Sequence, residues 1–186
     1  MADMARKQQG LTLIELMVTL AVAIILISVG MPLFSGMAAN NRASSQANTF
    51  LTAFKLARSE AVKRSDRVSV CAVADPVATP VTCGSNAQWG NGILVFTDDG
   101  TAGTVDGTDQ RLKVFTITTA GAIATTTGAF VRFGQQGDVA NMTANGACVG
   151  SGTCFQMGHA DTTGTPNRCL HVMQSGQVRL ERGACT

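Results

Sequence analysis

The sequence is poor in charge and lacks the common catalytic motifs. Lys, Arg, Asp and Glu make up only 14% of its 186 residues, and the formal net charge is +2. A balance this close to neutral argues against a broad basic surface for nucleic acid, although a small local patch is compatible with it. The chain also has no Gly-x-Ser-x-Gly elbow, no phosphate-binding loop and no helical His-Glu pair. We therefore expect neither enzymatic activity nor a cofactor.

Charge is absent altogether from residues 16–31, which form part of a long apolar run. A membrane core about 30 Å thick is spanned by a helix of roughly 20 mostly apolar residues, so residues 11–32 are long enough to cross it. The basic pair Arg6–Lys7 precedes the run and predicts a cytoplasmic N terminus. Glu15 lies inside the run, where an ionised side chain costs about 2.5–3.5 kcal/mol on insertion scales. Such a residue is expected to have a partner and a function.

Three ordinary interpretations fit this stretch less well. A cleaved secretory signal has an apolar core of roughly 7–15 residues and a small-residue exit site, but this run is longer and no Ala-x-Ala site ends it. A plain membrane anchor has the right length but gives no reason for Gly10 or Glu15. A buried core helix is disfavoured because it would carry almost no polar surface.

Residues 10–16, Gly-Leu-Thr-Leu-Ile-Glu-Leu, resemble the class III signal of type IV pilins and pseudopilins. The family usually has Phe where this chain has Leu11, and it often has a helix-kinking proline where this chain has Pro32. The resemblance implies that prepilin peptidase cleaves between Gly10 and Leu11 and that Leu11 is then N-methylated. It also implies that Glu15 pairs with the N terminus of a neighbouring subunit in a filament. The alternative for Glu15 is that it reaches the membrane interface.

The apolar positions from Ala43 to Ala61 recur at steps of three and four, which is typical of a helix that packs on a core. We predict one long helix over residues 11–63, kinked at Pro32 because proline removes a backbone hydrogen bond. The fold class is α+β and pilin-like, with this helix packed on a β-rich antiparallel head. The predicted boundaries are a cleaved leader at 1–10, a transmembrane and assembly helix at 11–32, its amphipathic continuation at 33–64 and a periplasmic head at 65–186. The protein is then a single-pass inner-membrane protein.

Beyond the helix, the pattern changes to short strands. The chain contains 20 glycines, and low charge with many turn residues favours a β-rich domain over a helical bundle. Residues 67–73 alternate with period two, as a half-buried strand does. Residues 75–88 read as a loop. Further strands are predicted at 92–97, 111–118, 130–133, 154–158, 168–173 and 177–181.

Three head segments, Trp89–Asp98, Arg111–Val114 and Val131–Phe133, are similar to the H-type pseudopilin family. This family includes GspH of type II secretion and the FimT and FimU minor pilins of type IV pili. The resemblance implies a non-enzymatic minor subunit that enters or primes a type IV pilus and contacts other pilins. The alternative is a GspH-type pseudopilin of a type II secretion system. We expect Trp89 to cap the core beside the helix rather than to stack on a ligand.

All six cysteines lie in the head, where an oxidising periplasm permits disulfides. Sequence proximity favours the pairs Cys71–Cys83, Cys148–Cys154 and Cys169–Cys185, although six cysteines allow 15 pairings. Each short loop closed in this way is worth about 2–4 kcal/mol. A zinc site made from these cysteines with His159 or His171 lacks paired Cys-x-x-Cys spacing, so no metal site is expected.

Four aspartates, Asp98, Asp99, Asp106 and Asp109, have a composition suited to calcium. Their spacing does not match a calcium-binding loop, and aspartate beside glycine is ordinary turn chemistry. We therefore expect a solvated turn.

The C terminus is the only part of the chain that suggests DNA binding. FimT-type DNA receptors carry a Gly-Arg-x-Arg motif, and this chain has Gly176-Gln-Val-Arg179 followed by Arg182, so the first arginine is missing. Arg179 and Arg182, with Arg168, could contact phosphates without reading bases. A DNA-binding minor pilin for natural transformation is therefore a further alternative, and charges on a solvated edge strand are the simpler interpretation.

Overall fold

The structure, a computed structural model, describes residues 12–117, 122–125, 128–140, 152–158, 168–183 and 185. Within these ranges the side chains of residues 29, 31–35, 122, 124, 125 and 158 are not described. The predicted cleavage residues Gly10 and Leu11, together with Cys148 and His159, therefore lie outside the described residues. The chain divides into two compact units, Met1–Ala38 and Ala39–Thr186.

A single helix, α1 (Leu13–Arg64, 52 residues), accounts for the N-terminal third of the chain. Its bounds differ from the predicted helix by two residues or fewer. The kink predicted at Pro32 stays a prediction, because the side chain of Pro32 is not described. Within the part of the chain that the structure describes, no helix is long and apolar enough to cross a membrane.

In the second unit, α1 buries the predicted apolar stripe except for Leu51, which is partly buried. The side chains of Ala43, Ala47, Phe50, Phe54, Ala57 and Ala61 are each exposed by 6% or less. Four of these six are alanine, so the backbone of the helix can approach the sheets closely, while the two phenylalanines fill the remaining volume. Packing of this stripe, rather than helix propensity, accounts for most of the helix stability in the head.

The strands are β1 (Val68–Ala72), β2 (Gly92–Thr97), β3 (Arg111–Thr116), β4 (Ala122–Thr125), β5 (Phe130–Phe133), β6 (Gly152–Gly158), β7 (Arg168–Met173) and β8 (Val178–Arg182). They form two four-stranded sheets, ordered β3-β2-β1-β5 and β4-β6-β7-β8. Every pairing between them is antiparallel. The predicted α+β class is confirmed. Two elements were not predicted from the sequence: β4 and a short 3-10 helix at Asn86–Gln88.

Aromatic rings from both sheets and the helix meet at the centre of the core. Trp89 is fully buried and lies between Phe50 of α1, at 5.8 Å, and Phe155 of β6, at 4.9 Å between ring centroids. Phe54 packs against the same Phe155 in a tilted arrangement, at 5.1 Å between ring centroids, and edge-on against Phe133 of β5, at 6.3 Å. The indole N–H of Trp89 has no hydrogen-bond acceptor among the described residues. Trp89 therefore lies in the core beside the helix, as the sequence predicted.

The prediction that β1 is half-buried was wrong, because all five of its residues are buried. Val68 and Val70 point into the main core under the helix. Cys71 and Val73 point to the opposite face and form a second, smaller cluster with Phe96. Loop residues cover this second face, which period-two alternation along a single strand does not reveal.

Two of the predicted disulfides are present among the described residues. Cys71–Cys83 ties β1 to the loop that follows it, and Cys169–Cys185 ties β7 to the C-terminal segment. Cys154 is also disulfide-bonded. Its predicted partner, Cys148, lies outside the described residues, so that pairing stays a prediction.

Candidate assembly site

The N-terminal end of α1 places Glu15 in the first helical turn. Thr12 precedes the helix, and its hydroxyl accepts a hydrogen bond from the backbone N–H of Glu15 at 3.3 Å. The carbonyl of Thr12 also accepts the N–H of Leu16 at 3.2 Å. Thr12 is thus the N-cap, and Glu15 stands at the third helical position.

The Thr-x-x-Glu spacing is the sequence signature of a capping box and could have predicted this helix start. A carboxylate in the first turn is also stabilised by the partial positive charge at the N terminus of the helix. Glu15 is therefore compatible with the helix start, independently of any partner. This point matters for the experiment, because glutamine serves equally well at this position of a capping box.

The apolar side chains that follow Glu15 have no cover. Every large hydrophobic residue from Leu13 to Ile27 is about half exposed or more, with a range from 49% at Val22 to 76% at Leu13. The hydroxyls in this segment bond back to the helix itself, as Thr19 does to the carbonyl of Leu16 at 2.9 Å. Apolar surface on this scale marks a contact with lipid or with other proteins.

The head-side part of α1 presents a second exposed face, which is polar but uncharged. An open groove of about 510 Å³ runs between this face and β3, with Phe115 on the strand side. Its helix side is lined by Asn41, Ser44, Ser45, Asn48, Thr49 and Thr52. Two of the hydroxyls bond to carbonyls one turn back, at 3.0 Å for Thr49 and 2.8 Å for Thr52. The groove therefore presents hydroxyls, amides and one aromatic ring.

The structure places Arg179 apart from Arg168 and Arg182, which are cross-strand partners and line one small pocket. Arg168 is only 7% exposed, and its guanidinium donates to Asn40 at 2.7 Å and to Ser44 at 3.1 Å, so it holds β7 against α1. Arg182 pairs in register with Arg168, whereas Arg179 pairs with His171. Since side chains alternate along a strand, Arg179 and Arg182 lie on opposite faces of β8. Arg168 itself is buried, so of the two cross-strand partners only Arg182 is exposed.

The four aspartates form turns, with one correction to the expected solvated turn. Asp98 is fully buried: it accepts a hydrogen bond from the Ser69 hydroxyl, another from the Gly103 N–H at 2.9 Å, and forms an ion pair with Arg132 at 2.9 Å. This carboxylate ties the loop to β1 and β5. Nothing in its sequence neighbourhood distinguished it from Asp99, because its partners are distant in the chain.

Two of the remaining aspartates accept hydrogen bonds from backbone N–H groups of their own loop. Asp106 accepts from Thr101 at 3.0 Å, and Asp109 accepts from Asp99 at 2.9 Å and from Asp106 at 3.1 Å. The pKa of Asp99 is raised, chiefly by a hydrogen bond with Asp66 and also by burial and by repulsion from neighbouring carboxylates. These contacts are turn chemistry rather than cation coordination.

One group of metal-ligating side chains occurs among the described residues. The ligand atoms of Cys154, Cys169 and His171 all lie within 4.8 Å of one another. Both cysteines are disulfide-bonded, and a disulfide sulfur is not a thiolate ligand. Spacing along the chain does not predict this group, because its members are brought together by the pairing of β6 with β7.

Two family profiles match the chain. The profile described as prokaryotic N-terminal methylation motif matches residues 5–31. The profile described as type II transport protein GspH matches residues 46–176. The chain belongs to the GspH family. Members of this family are pilin-like and pseudopilin-like structural subunits, and the methylation motif implies anchoring in the inner membrane.

The fold of this GspH-family chain is similar to solved minor-pilin structures. Two crystal structures of the type IV minor pilin FimU from Pseudomonas aeruginosa strain PAO1 match it with TM-scores of 0.55 and 0.53, at 20% and 18% sequence identity. The matches cover 76% and 74% of this chain and 89% and 91% of the FimU chains. At this identity the likeness concerns the fold. No curated protein sequence matches the chain.

Proposed function

We propose that this GspH-family chain is a minor pilin that enters or primes a type IV pilus filament, with Glu15 as the joint to its neighbour. The observation that carries the proposal is the uncovered apolar segment from Leu13 to Ile27, which contains one carboxylate in its first turn. An apolar helix of this kind needs an apolar environment, and the carboxylate needs a cation once it is there.

Before assembly, that environment is the inner membrane. In this proposal, residues 11–32 cross it once, Arg6 and Lys7 stay on the cytoplasmic side, and the head at 65–186 faces the periplasm. Prepilin peptidase cuts between Gly10 and Leu11, and methylation leaves a cationic amine at Leu11. The match of residues 5–31 to the methylation motif supports this sequence of events.

In the filament, the apolar segment packs among the equivalent helices of other subunits. Glu15 then accepts the methylated N terminus of a neighbour, so both charges are buried as a pair. Breaking a buried pair by removing one partner costs about 3–5 kcal/mol, because the other charge is left uncompensated. The head adds contacts through the uncharged groove at Asn41–Thr52 and Phe115.

The second candidate is a GspH-type pseudopilin of a type II secretion system, which the family description favours. The likeness of fold to FimU supports the pilus. The two are separated by deleting the gene in its host. Loss of surface pili with normal protein secretion supports the pilus, and loss of secretion with normal pili supports the secretion system.

Glu15→Gln in the full chain tests the role of Glu15. Glutamine keeps the capping box but removes the charge, so the helix start is preserved. We expect normal leader cleavage, measured by the mass of the chain on immunoblots, and at least about a tenfold loss of the chain from sheared filaments, given the cost of an unpaired charge. Ser28→Ala is the matched control, since Ser28 is a polar residue of the same segment that bonds only to the helix carbonyl of Ile25. Wild-type incorporation of Glu15→Gln would show that Glu15 is not the joint.

A further inference from the structure

Two arginines lie side by side on the core-facing side of the second sheet, where β7 begins and β8 ends. Arg168 of β7 and Arg182 of β8 are cross-strand partners. Both alternate with residues that pack in the core, Leu170 in β7 and Leu180 in β8. Directly opposite side chains have Cβ atoms about 4.5–5.5 Å apart, and like charges at such positions destabilise a sheet. This pair therefore favours an anion beside it.

A pocket of about 250 Å³ opens between these two strands and α1. Sites for drug-sized molecules have volumes of about 300–1,000 Å³, so this pocket is suited to a single side chain rather than to a large ligand. It is lined by Ser44, Asn48, Arg168, Leu180, Glu181 and Arg182.

The α1 side of the pocket supplies hydrogen-bond donors. The guanidinium of the buried Arg168 donates to Asn40 at 2.7 Å and to Ser44 at 3.1 Å. Because the Ser44 oxygen accepts from Arg168, its own O–H can donate into the pocket. Asn48 follows one helical turn later on the same face and can donate from its side-chain amide. Arg168 thus orients a donor without itself being exposed.

The β8 side supplies an exposed cation. Arg182 forms no ion pair with any of the residues that the structure describes. Its planar guanidinium can bind a carboxylate through two parallel hydrogen bonds. Leu180, on the same face of β8, offers apolar surface to the methylene groups of such a side chain. Two arginines and one glutamate give the lining a formal charge of +1, which balances one carboxylate rather than a polyanion.

We propose that this pocket receives one glutamate side chain of a neighbouring pilin-class subunit. Arg182, Ser44 and Asn48 bind the carboxylate, and Arg168 is a positioning residue that holds Ser44. That the partner is a pilin-class subunit rests on the proposed function, whereas the preference for a carboxylate rests on the pocket alone.

The first test uses the full chain in detergent, isotope-labelled for NMR, and the probe peptide acetyl-Gly-Glu-Gly-amide. We expect this peptide to shift the Nε–H signal of Arg182 and the backbone N–H signal of Asn48. The matched peptide acetyl-Gly-Gln-Gly-amide should shift neither. Arg182→Gln should weaken binding of the glutamate peptide by about fivefold, the upper range for a partly exposed ion pair.

Arg179→Gln is the matched control, because it makes the same change of charge on the opposite face of β8. It should leave the affinity for the glutamate peptide unchanged. Equal shifts from the two peptides would overturn the proposal, and so would equal losses of affinity in Arg182→Gln and Arg179→Gln. Tighter binding of a short single-stranded oligonucleotide through Arg182, at the same salt concentration, would assign the pocket to nucleic-acid phosphates instead.

The second test measures incorporation of the full chain into sheared filaments of the host. We expect Arg182→Gln to lower incorporation by about twofold to fivefold, and Arg179→Gln to leave it unchanged. Wild-type incorporation of Arg182→Gln together with loss of Glu15→Gln would overturn the role of the pocket and leave the proposed function standing. Peptide binding through Arg182 in a chain that never enters filaments would contradict the proposed function and, with it, the pilin-class partner.

Discussion

The two ends of α1 are helical for different reasons. Between Leu13 and Ile27 the helix is apolar on every side, and its large side chains are about half exposed or more. Between Ala43 and Ala61 the apolar residues form a stripe, and that stripe is fully or almost fully buried in the head. One helix thus contains a segment whose apolar surface is exposed and a segment whose apolar surface is buried against the head.

Because of this difference, the stability of the head and the assembly of the subunit can depend on separate segments of α1. The head-side segment contributes to the folding free energy of the head, because its phenylalanines and alanines fill a core. The N-terminal segment contributes nothing to that core, and its apolar side chains are exposed. Substitutions in the two segments should therefore affect different measurements.

The largest expected effect is on head stability, from Phe54→Ala. Phe54 is fully buried against Phe133 and Phe155, so its removal leaves a cavity that should cost about 3–5 kcal/mol in the free energy of unfolding. Urea unfolding of the full chain in detergent measures this cost through the fluorescence of Trp89, the one tryptophan in the sequence.

Leu20→Ala is the matched substitution in the other segment. Leu20 is 55% exposed, so its replacement should leave the unfolding midpoint of the head unchanged within error. If Leu20→Ala lowered the midpoint as much as Phe54→Ala, the two segments would not be energetically separate.

A smaller effect is expected from Arg58→Ala, on the head-side segment. The guanidinium of Arg58 donates to the carbonyl of Gly137 and to that of Ser175, both at 3.1 Å, and so ties the helix to one turn from each sheet. Its loss should cost about 1–3 kcal/mol by the same unfolding measurement. Lys55→Ala, an exposed cation one turn earlier, should change the free energy by less than about 0.5 kcal/mol. Equal effects of the two substitutions would mean that the Arg58 contacts add no stability.

The smallest effect is expected in the loop after β2, from Asp99→Asn. The hydrogen bond with Asp66 raises the pKa of Asp99 above its ordinary value. A raised pKa in the folded state contributes stability below the unfolded pKa, near 3.9, and this contribution is lost as the pH rises through the folded pKa. At neutral pH the two carboxylates repel, so Asp99→Asn should raise the urea midpoint slightly at pH 7 and not at pH 3. Asp75→Asn is the control, and a midpoint of Asp99→Asn that follows wild type at both pH values would contradict the assignment.

Much of the fold was predictable because it depends on local patterns. The stripe from Ala43 to Ala61, the strands β2, β5 and β7, and two short-range disulfides all follow from spacing along the chain. The N-cap bond from Glu15 N–H to Thr12 was equally local but was not recognised. Two elements near Trp89, the 3-10 helix and β4, were missed because their glycine-, threonine- and alanine-rich surroundings carry little periodicity.

The rest depends on partners that are far apart in sequence. In the sequence, Asp98 could not be distinguished from the exposed Asp99. In the structure, Asp98 is buried and contacts Ser69 and Arg132. In the sequence, Arg168 looked like a phosphate-contacting residue. In the structure, its guanidinium donates hydrogen bonds to Asn40 and Ser44 of α1. Cys154 and His171 are 17 residues apart in sequence, and only their pairing on neighbouring strands brings the two side chains together.

The sequence by itself determined the class of this protein, because an N-terminal methylation motif, an apolar run and a glutamate at fixed spacing are one-dimensional signals. It also determined that the helix continues into a β-rich head. Only the tertiary structure decided which charges are buried, which faces of the strands are covered and which side chains converge. The physical reason is that burial and convergence are set by contacts between distant segments, whereas helix starts, strand alternation and short disulfide loops are set by neighbours.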